Sequence, residues 1–486
     1  MTKAETNNMR SSRATPPQKL LPTRLKLLLL LVTTVLATSS FYYLLHRHLL
    51  SPHTTATTTS LSSITPPPPP PSPTNLTHLF FTVASSLSSF PRRAPYFSLW
   101  STTPSTRTLV FLDCRPPRVD PYFRRVPVAV SADTSRFPYS FPRGSRSALR
   151  VARLVKESVE RNPRGVRWFV FGDDDTVFFP ENVVAVLGKY DHEKWYYIGS
   201  NSESFEQSLN MGFNMAYGGG GFALSFPLAK ALSRVLDSCL MRYPHLYGSD
   251  ARVSACVSEL GVQFTREPGF HQFDVRGDLF GMLTAHPLSP LLSLHHLEIV
   301  EPLFPHMNRT DALRHLFKAY HADPRRILQQ TVCYDNSSNV TVSVSWGYAV
   351  QIFEGNQLLL DILASQRTFT PWRRRGINIP RQYSLDTRDY AQDHCKRPVV
   401  FFLEDVASGT GRVWSKYSLH RTRKCPRFDS IKNLRDIKVF IKKLAHDAEQ
   451  VTAPRRQCCD IIHPFHKSMV IDIRHCGFDE LIAMNP

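Results

Sequence analysis

The chain has 486 residues, with 59 Lys+Arg against 40 Asp+Glu, 42% hydrophobic residues and 37 prolines. That length predicts roughly two domains of about 150 residues each plus extensions, and charged residues at 20% with aromatics at 11% exclude wholesale disorder. The net charge of +19 admits nucleic acid, an anionic membrane surface or an anionic small substrate, and only its distribution can separate them.

The first basic residues are Lys3, Arg10, Arg13, Lys19, Arg24 and Lys26, opposed by Glu5 alone. They stop where an uncharged run from Leu27 to Leu45 begins. Nineteen residues at helical rise span about 28 Å, close to a hydrocarbon core. Basic residues ahead of the run leave the N-terminus cytoplasmic by the positive-inside rule. The expectation is therefore a cytoplasmic tail over 1–26 and a transmembrane anchor over 27–45. A cleaved signal peptide is the alternative, with Ala37 and Ser39 as small residues near a cut.

Residues 46–77 read as a stem. They are rich in Ser and Thr and carry the run Pro66 to Pro71, a stiff polyproline spacer that cannot pack a core. Four Asn-X-Ser/Thr sites, at Asn75, Asn308, Asn336 and Asn339, lie beyond the anchor, where lumenal glycosylation reaches. All nine cysteines also lie past it, with no Cys-X-X-Cys pair, so disulfides in an oxidising lumen are a better reading than a zinc ribbon. Nine is odd, and one thiol at least is left over.

From His78 the pattern becomes globular. Leu79–Ala84 and Arg107–Asp113 read as strands, Ser147–Arg161 as a helix with apolar residues at helical spacing, and Val166–Phe171 as another strand. Such alternation predicts an α/β fold with a mostly parallel sheet, whose ligands bind beyond the carboxyl ends of the strands. Gly172-Asp173-Asp174-Asp175 stands at such an end. In an extended segment Asp173 and Asp175 point the same way and repel. A divalent cation relieves that repulsion, since Mg²⁺ and Mn²⁺ favour oxygen ligands; a solvated turn of capping aspartates is the bland alternative. A helix start at Pro180, a strand at Trp195–Gly199 and the run Gly218–Gly221 follow. Glycines admit close backbone approach or positive φ, which places Gly219 and Gly220 against a cofactor or in a purely structural turn. The run is not a phosphate-binding loop, since no Gly-Lys-Ser/Thr follows.

Taken in order, Trp168–Thr176, Trp195–Gly199 and Gly218–Ser225 resemble the Fringe-type β-1,3-glycosyltransferases of glycosyltransferase family 31. The likeness is greatest to the plant Fringe-like branch long known as a domain of unknown function. Tyr247–Asp250, Glu267–Val275, His286–Pro290, Leu294–Glu298 and Val342–Val350 add to it, from about His78 to Cys459. The resemblance implies a GT-A fold, a UDP-sugar donor, a glycan or glycoconjugate acceptor, inversion at the anomeric carbon and a type II Golgi membrane architecture. It also implies that Asp173 and Asp175 hold Mn²⁺ or Mg²⁺, with Asp174 between them, and that Asp250 is the general base. The further metal ligand it implies is a histidine followed by Leu. His296, before Leu297-Glu298, is the choice; His271, His295 and His286 are rivals.

Eleven arginines against three aspartates between Arg92 and Arg150 suit a diphosphate, an acidic glycan or merely solvent. Nucleic acid is disfavoured, because no reader motif interleaves the basic residues. The expectation is a catalytic domain over 78–330 and a cysteine-bearing β-rich module over 331–486, in which Trp372–Arg375 and the basic cluster Arg421, Arg423, Lys424 and Arg427 show no recognisable active site. Val470–Ile473 has no account at this level. A non-catalytic Golgi lectin or scaffold is the competing class, and the oligomeric state is left open.

Overall fold

The computed structural model describes residues 34–43, 46, 72–101, 106–116, 127–287, 290–373, 382–420, 425–444 and 448–484. The chain divides into a unit Met1–Pro71 and a unit Ser72–Pro486. In the first, residues 34–43 are helical; the basic tail, residues 27–33 and 44–45 of the expected anchor and residues 47–71 of the stem lie outside the described residues. Among the described residues no helix is long and apolar enough to cross a membrane, so the spanning helix expected over 27–45 is not found there.

The second unit is built first on strands β1 (Leu79–Ala84), β2 (Arg107–Leu112), β3 (Val128–Val130), β4 (Trp168–Asp173), β5 (Val177–Phe178), β6 (Tyr197–Gly199), β7 (Phe222–Ser225) and β8 (Phe264–Arg266). Seven of them form one sheet in the order β3-β2-β1-β4-β7-β6-β8. Alternation along the strands divides their side chains between two faces. Phe81, Val83, Trp168 and Val170 enter one hydrophobic cluster, and Phe169 and Phe171 enter the other. The helices Phe90–Trp100 and Pro180–Leu187 cover the first face, and Ser147–Glu160, Phe226–Arg242 and Ser249–Glu259 the second. A fully buried Phe or Leu contributes about 1.5–3 kcal/mol, so each buried aromatic of these strands stabilises the sheet by about that much.

β1 to β4 run parallel, as do β6 and β8, while β7 is antiparallel to both its neighbours. The sheet is therefore mixed rather than purely parallel, and the reversal of β7 has a geometric consequence. With Phe171 opposite Phe222, the glycine run before β7 lies at the edge where β4 delivers its aspartates. Gly199, ending β6, faces the same Phe222. The carboxyl ends of β1, β4 and β6 and the amino end of β7 thus converge.

A short sheet completes this edge. β5 pairs antiparallel with β11 (Ser293–Leu294), which pairs parallel with β9 (Phe270–His271); β10 (Val275–Gly277) lies between them in sequence. Leu294 is opposite Val177. Carried onward, that register sets the segment after β11 beside the segment before β5, which is where the aspartates are.

An eight-stranded sheet begins at Gln330–Asp335 and takes in Val340–Ser345, Ala349–Glu354, Val399–Ser408, Arg412–Leu419, Asp436–Lys442, Ser468–Arg474 and Cys458–Ile462. The β stretch expected from Val340 to Phe353 is a hairpin, turning at Gly347 in the left-handed region. Val470–Ile473 sits in the strand Ser468–Arg474, the one parallel pairing of this sheet. One hydrophobic cluster runs from Leu79 to Ile473, so the two sheets share a core. Disulfides join Cys239 to Cys256, Cys333 to Cys459, Cys395 to Cys425 and Cys458 to Cys476, and Cys114 is a free, exposed thiol.

Candidate active site

The three consecutive aspartates have three different environments. Asp174 is buried and accepts hydrogen bonds from Ser85 Oγ at 2.5 Å and Ser89 Oγ at 2.6 Å, and from the Arg93 guanidinium. Its oxygens are already engaged, so it is an anchor for the turn rather than a ligand facing outward. Arg93 also approaches Asp175 at 3.3 Å and pairs with Glu298. Asp175 in turn lies 3.2 Å from His295 Nε2. Burial alone would raise the Asp175 carboxyl, but His295, Arg93 and His296 outweigh it and hold it well below the usual carboxylate range.

Asp173 has no such cation of its own. Burial, with the like charges of Asp175, Asp250 and Asp174, outweighs the attraction of His295 and raises its carboxyl to about 7. Asp173 and Asp250 line the same small cavity, about 20 Å³, with Gly218 and Ser249 beside them. That is room for about one water, so no sugar ring enters it in this conformation. Asp250 stands in the first turn of helix Ser249–Glu259, a favourable place for a carboxylate. It accepts from Ser249 Oγ at 2.9 Å and from the Gly218 N–H, yet burial still raises its carboxyl above the ordinary range.

His295 and His296 follow β11 directly, as its pairing with β5 requires. Burial works to lower the His295 imidazole, but Asp175, Asp173 and Asp274 overcome it and push it up to about 9. Its Nδ1 lies 3.3 Å from the Gln272 carbonyl oxygen. His296 has φ of 59°, a left-handed conformation that costs a non-glycine residue on the order of 1–3 kcal/mol. Phe273 is also left-handed, with φ of 49°, just before Asp274. His296 Nδ1 lies 3.2 Å from Asp274 Oδ1 without making a hydrogen bond, and its ring stacks on Trp372 with centroids 4.5 Å apart. Burial, with His295 adding, lowers the His296 imidazole.

Asp175, His295 and His296 each offer one ligand atom, and these lie within 4.8 Å of one another. This donor set fits a divalent cation on three grounds. A carboxylate with imidazoles is a borderline ligand set open to Mn²⁺, His296 Nδ1 is buried without a hydrogen-bond partner although Asp274 Oδ1 lies 3.2 Å away, and like charges around Asp173 outweigh the attraction of His295. Both histidines of the pair are thus brought to the aspartates, His296 among them, while Asp173 stands beside that triplet rather than within it. His271 and His286 are not brought there; they meet Glu203 instead.

The glycines serve the protein's own packing. A Cβ at Gly219 would fall within 2.6 Å of three atoms of the His295 ring, and one at Gly220 within 3.4 Å of the Gln272 backbone. The Gly220 N–H already donates to Gln272 Oε1 at 2.6 Å, and Thr176 Oγ1 donates to the Gly219 carbonyl at 2.7 Å. So Gly219 and Gly220, expected against a cofactor, are where His295 and Gln272 come close to the chain. Arg93, Asp274, Gln272 and Trp372 escaped sequence reasoning. Gln272 and Asp274 lie within a stretch noted for its likeness, Arg93 within the arginine-rich segment that suits a diphosphate, and Trp372 in a cluster given no site; none is singled out by the sequence. Trp372 also shows that residues beyond 330 form part of the site wall.

A Fringe-like family model matches residues 76–286, and the family model described as "Protein of unknown function, DUF604" matches residues 207–459, just over half the chain. Two curated proteins named beta-1,3-glucosyltransferase, from Mus musculus and Homo sapiens, are each 28% identical over 120 residues. The match covers 24% of this chain and 23% of each relative, so the chain spans about a quarter of their length. Among solved structures, an active-site mutant of LgtC overlaps 48% of this chain and 92% of its own, with 10% identity and a TM-score of 0.30. A glycosyltransferase involved in glycosylation of the major capsid of PBCV-1 overlaps 49% and 98%, with 12% identity and a TM-score of 0.23. Overlaps at such scores carry no argument.

Proposed function

The chain belongs to the DUF604 family, and from that premise we propose that it is an inverting, metal-dependent glycosyltransferase of GT-A type. It moves a sugar from a UDP-sugar to a glycan or glycoconjugate hydroxyl, with β-1,3 linkage. The observation that carries this reading is the convergence of Asp173, Asp175 and Asp250 with His295 at one sheet edge. The names of the two curated relatives and the Fringe-like match support it.

Asp175, His295 and His296, with Asp173 beside them, would hold Mn²⁺ or Mg²⁺. Such an ion supplies charge stabilisation to a departing diphosphate. Asp250 takes the proton from the acceptor hydroxyl as that oxygen attacks the anomeric carbon. A carboxyl raised by burial is a better base near neutral pH than a free one, and a general base contributes about 10²–10⁴-fold. One base opposite the leaving group suffices for inversion, so no residue forms a covalent bond to the sugar. Arg93 pairs with both Asp174 and Asp175 and so holds the turn in which Asp175 stands.

The basic tail and uncharged run support an N-terminal anchor, and four disulfides support an oxidising compartment. We place the protein in the Golgi membrane, type II, with the catalytic unit lumenal. The test is UDP release by the full chain with Mn²⁺ and a panel of UDP-sugars and acceptor glycans. Metal-dependent release that Asp250→Asn abolishes while donor binding persists is the expected result. No release with any donor, while the protein still binds glycans, favours a lectin on the same fold.

A further inference from the structure

Glu203, His271 and His286 form a second cluster in which each residue offers a ligand atom and all three atoms lie within 4.8 Å of one another. The cluster shares no residue with Asp175, His295 and His296. Glu203 Oε1 is 2.8 Å from His271 Nδ1 and 3.8 Å from His286 Nε2, and Glu203 Oε2 accepts from the Phe273 N–H at 2.8 Å. Glu203 is 6% exposed and His271 2%. The His286 ring meets the His271 ring edge-on with centroids 5.1 Å apart.

The protein alone does not satisfy this arrangement. His271 Nε2 is buried with no hydrogen-bond partner. If Nδ1 carries the ring proton and donates to Glu203, Nε2 keeps a bare lone pair in a dry interior. If Nε2 carries the proton, that N–H is bare and the Nδ1 lone pair faces a carboxylate at 2.8 Å. A doubly protonated ring would pair with Glu203 but still leave the Nε2 proton unmatched, and burial lowers this imidazole against that state. A buried polar group left unpaired costs about 1–3 kcal/mol. A cation between Glu203 and His271 Nδ1 turns the repulsion of the second case into coordination; it sits on the Nδ1 side, so the Nε2 N–H is unmatched with or without it. Two imidazoles and one carboxylate are the donor set of zinc sites that keep an open position.

We propose that Glu203, His271 and His286 bind a second divalent cation, of the Zn²⁺ class, separate from the site of Asp175, His295 and His296. It would join three segments with little regular structure of their own: the approach to helix Phe205–Met211, strand β9, and the turn after the short helix Phe280–Leu283. Between these segments the chain passes Gln272 and Asp274, which touch Gly220 and face His296. The second cation therefore braces the wall of the first site without contacting it.

The experiment is a Zn²⁺ titration of the full chain after chelator treatment, read by competition with a chromophoric chelator and by thermal melting. Wild type takes up two equivalents. His286→Ala and Glu203→Gln each lose one equivalent, with affinity down at least about 100-fold at that site, and lose part of the Zn²⁺-induced rise in Tm. His295→Ala loses the other equivalent and keeps this one, so failure of this site and failure of the catalytic reading are told apart. Should Glu203→Gln misfold, His286→Ala decides, because its side chain is a quarter exposed. Unchanged stoichiometry and an unchanged Zn²⁺ effect on Tm in His286→Ala overturn the proposal, as does a single wild-type equivalent that His295→Ala abolishes.

Discussion

Alanine at Gly219 isolates the packing of the site from its chemistry. The new Cβ would lie within 2.6 Å of Cε1, Nε2 and Nδ1 of His295, at least 0.8 Å inside the 3.4 Å of an ordinary contact. The neighbour is a rigid ring, 4% exposed for its residue, not the loose end of a flexible chain. Gly219 has no left-handed φ, so backbone strain does not confuse the result. His295 must therefore shift by about 1 Å from its place beside Gly219 and Asp175, and a misplacement of that size costs about 10²-fold in turnover. Forced overpacking adds about 1–3 kcal/mol of destabilisation. The assay is Mn²⁺ affinity and metal-dependent UDP release, alongside the melting temperature. Gly248→Ala is the control, since its Cβ meets nothing nearer than 3.8 Å although it adjoins the helix bearing Asp250. Gly219→Ala with wild-type metal affinity and turnover refutes the claim that the glycine exists to admit His295.

Other expectations follow from the same contacts. Arg93→Ala leaves Asp174 buried, 3% exposed, without its cation, and is expected to cost about 3–5 kcal/mol in chemical denaturation. Opening the Cys239–Cys256 bridge, whose ends are 17 residues apart, is expected to cost about 3 kcal/mol and to lower Tm, because it releases the helix carrying Asp250 from its neighbour. Thiol titration of the unreduced, denatured protein should count one cysteine, Cys114. Burial, with Glu301 adding and the Phe280 N–H opposing, raises the Asp278 carboxyl from 3.8 to about 6. A raised acid withdraws stability as pH climbs from its unfolded to its folded pKa, here by about 3 kcal/mol between pH 4 and pH 6. Asp278→Asn should flatten that part of the pH–stability curve; an unaltered curve contradicts the assignment.

Local pattern reveals some features of this protein and hides others for physical reasons. Leu79–Ala84, Trp168–Phe171 and the helix from Ser147 are legible because aromatic or apolar residues run together or recur at helical spacing, and most of the strand residues, with Leu149, Ala152, Leu154 and Val155 of the helix, become buried. The aspartates are legible because two carboxylates set two residues apart at a strand end repel unless a cation or turn contacts offset them, and Asp174 shows the turn use beside Asp175. The reversal of β7 is not, since four residues, Phe222–Ser225, read alike in either direction. Nor could spacing choose among His271, His286, His295 and His296. The pairing of β5 with β11 brings the last two to Asp175, and such pairing joins residues more than a hundred positions apart. Arg93 and Trp372 reach the site from distant segments for the same reason. The glycine run was seen, but whether a ligand or a histidine fills the space it leaves is a tertiary fact.

The most direct measurement is the binding of UDP to the full chain with and without Mn²⁺, followed by calorimetry. If Asp175 and His295 hold an ion against a nucleotide diphosphate, UDP binds tightly only with the metal present, and Asp175→Asn removes that dependence together with the affinity. Equal binding with and without Mn²⁺, or binding that Asp175→Asn leaves untouched, contradicts the account.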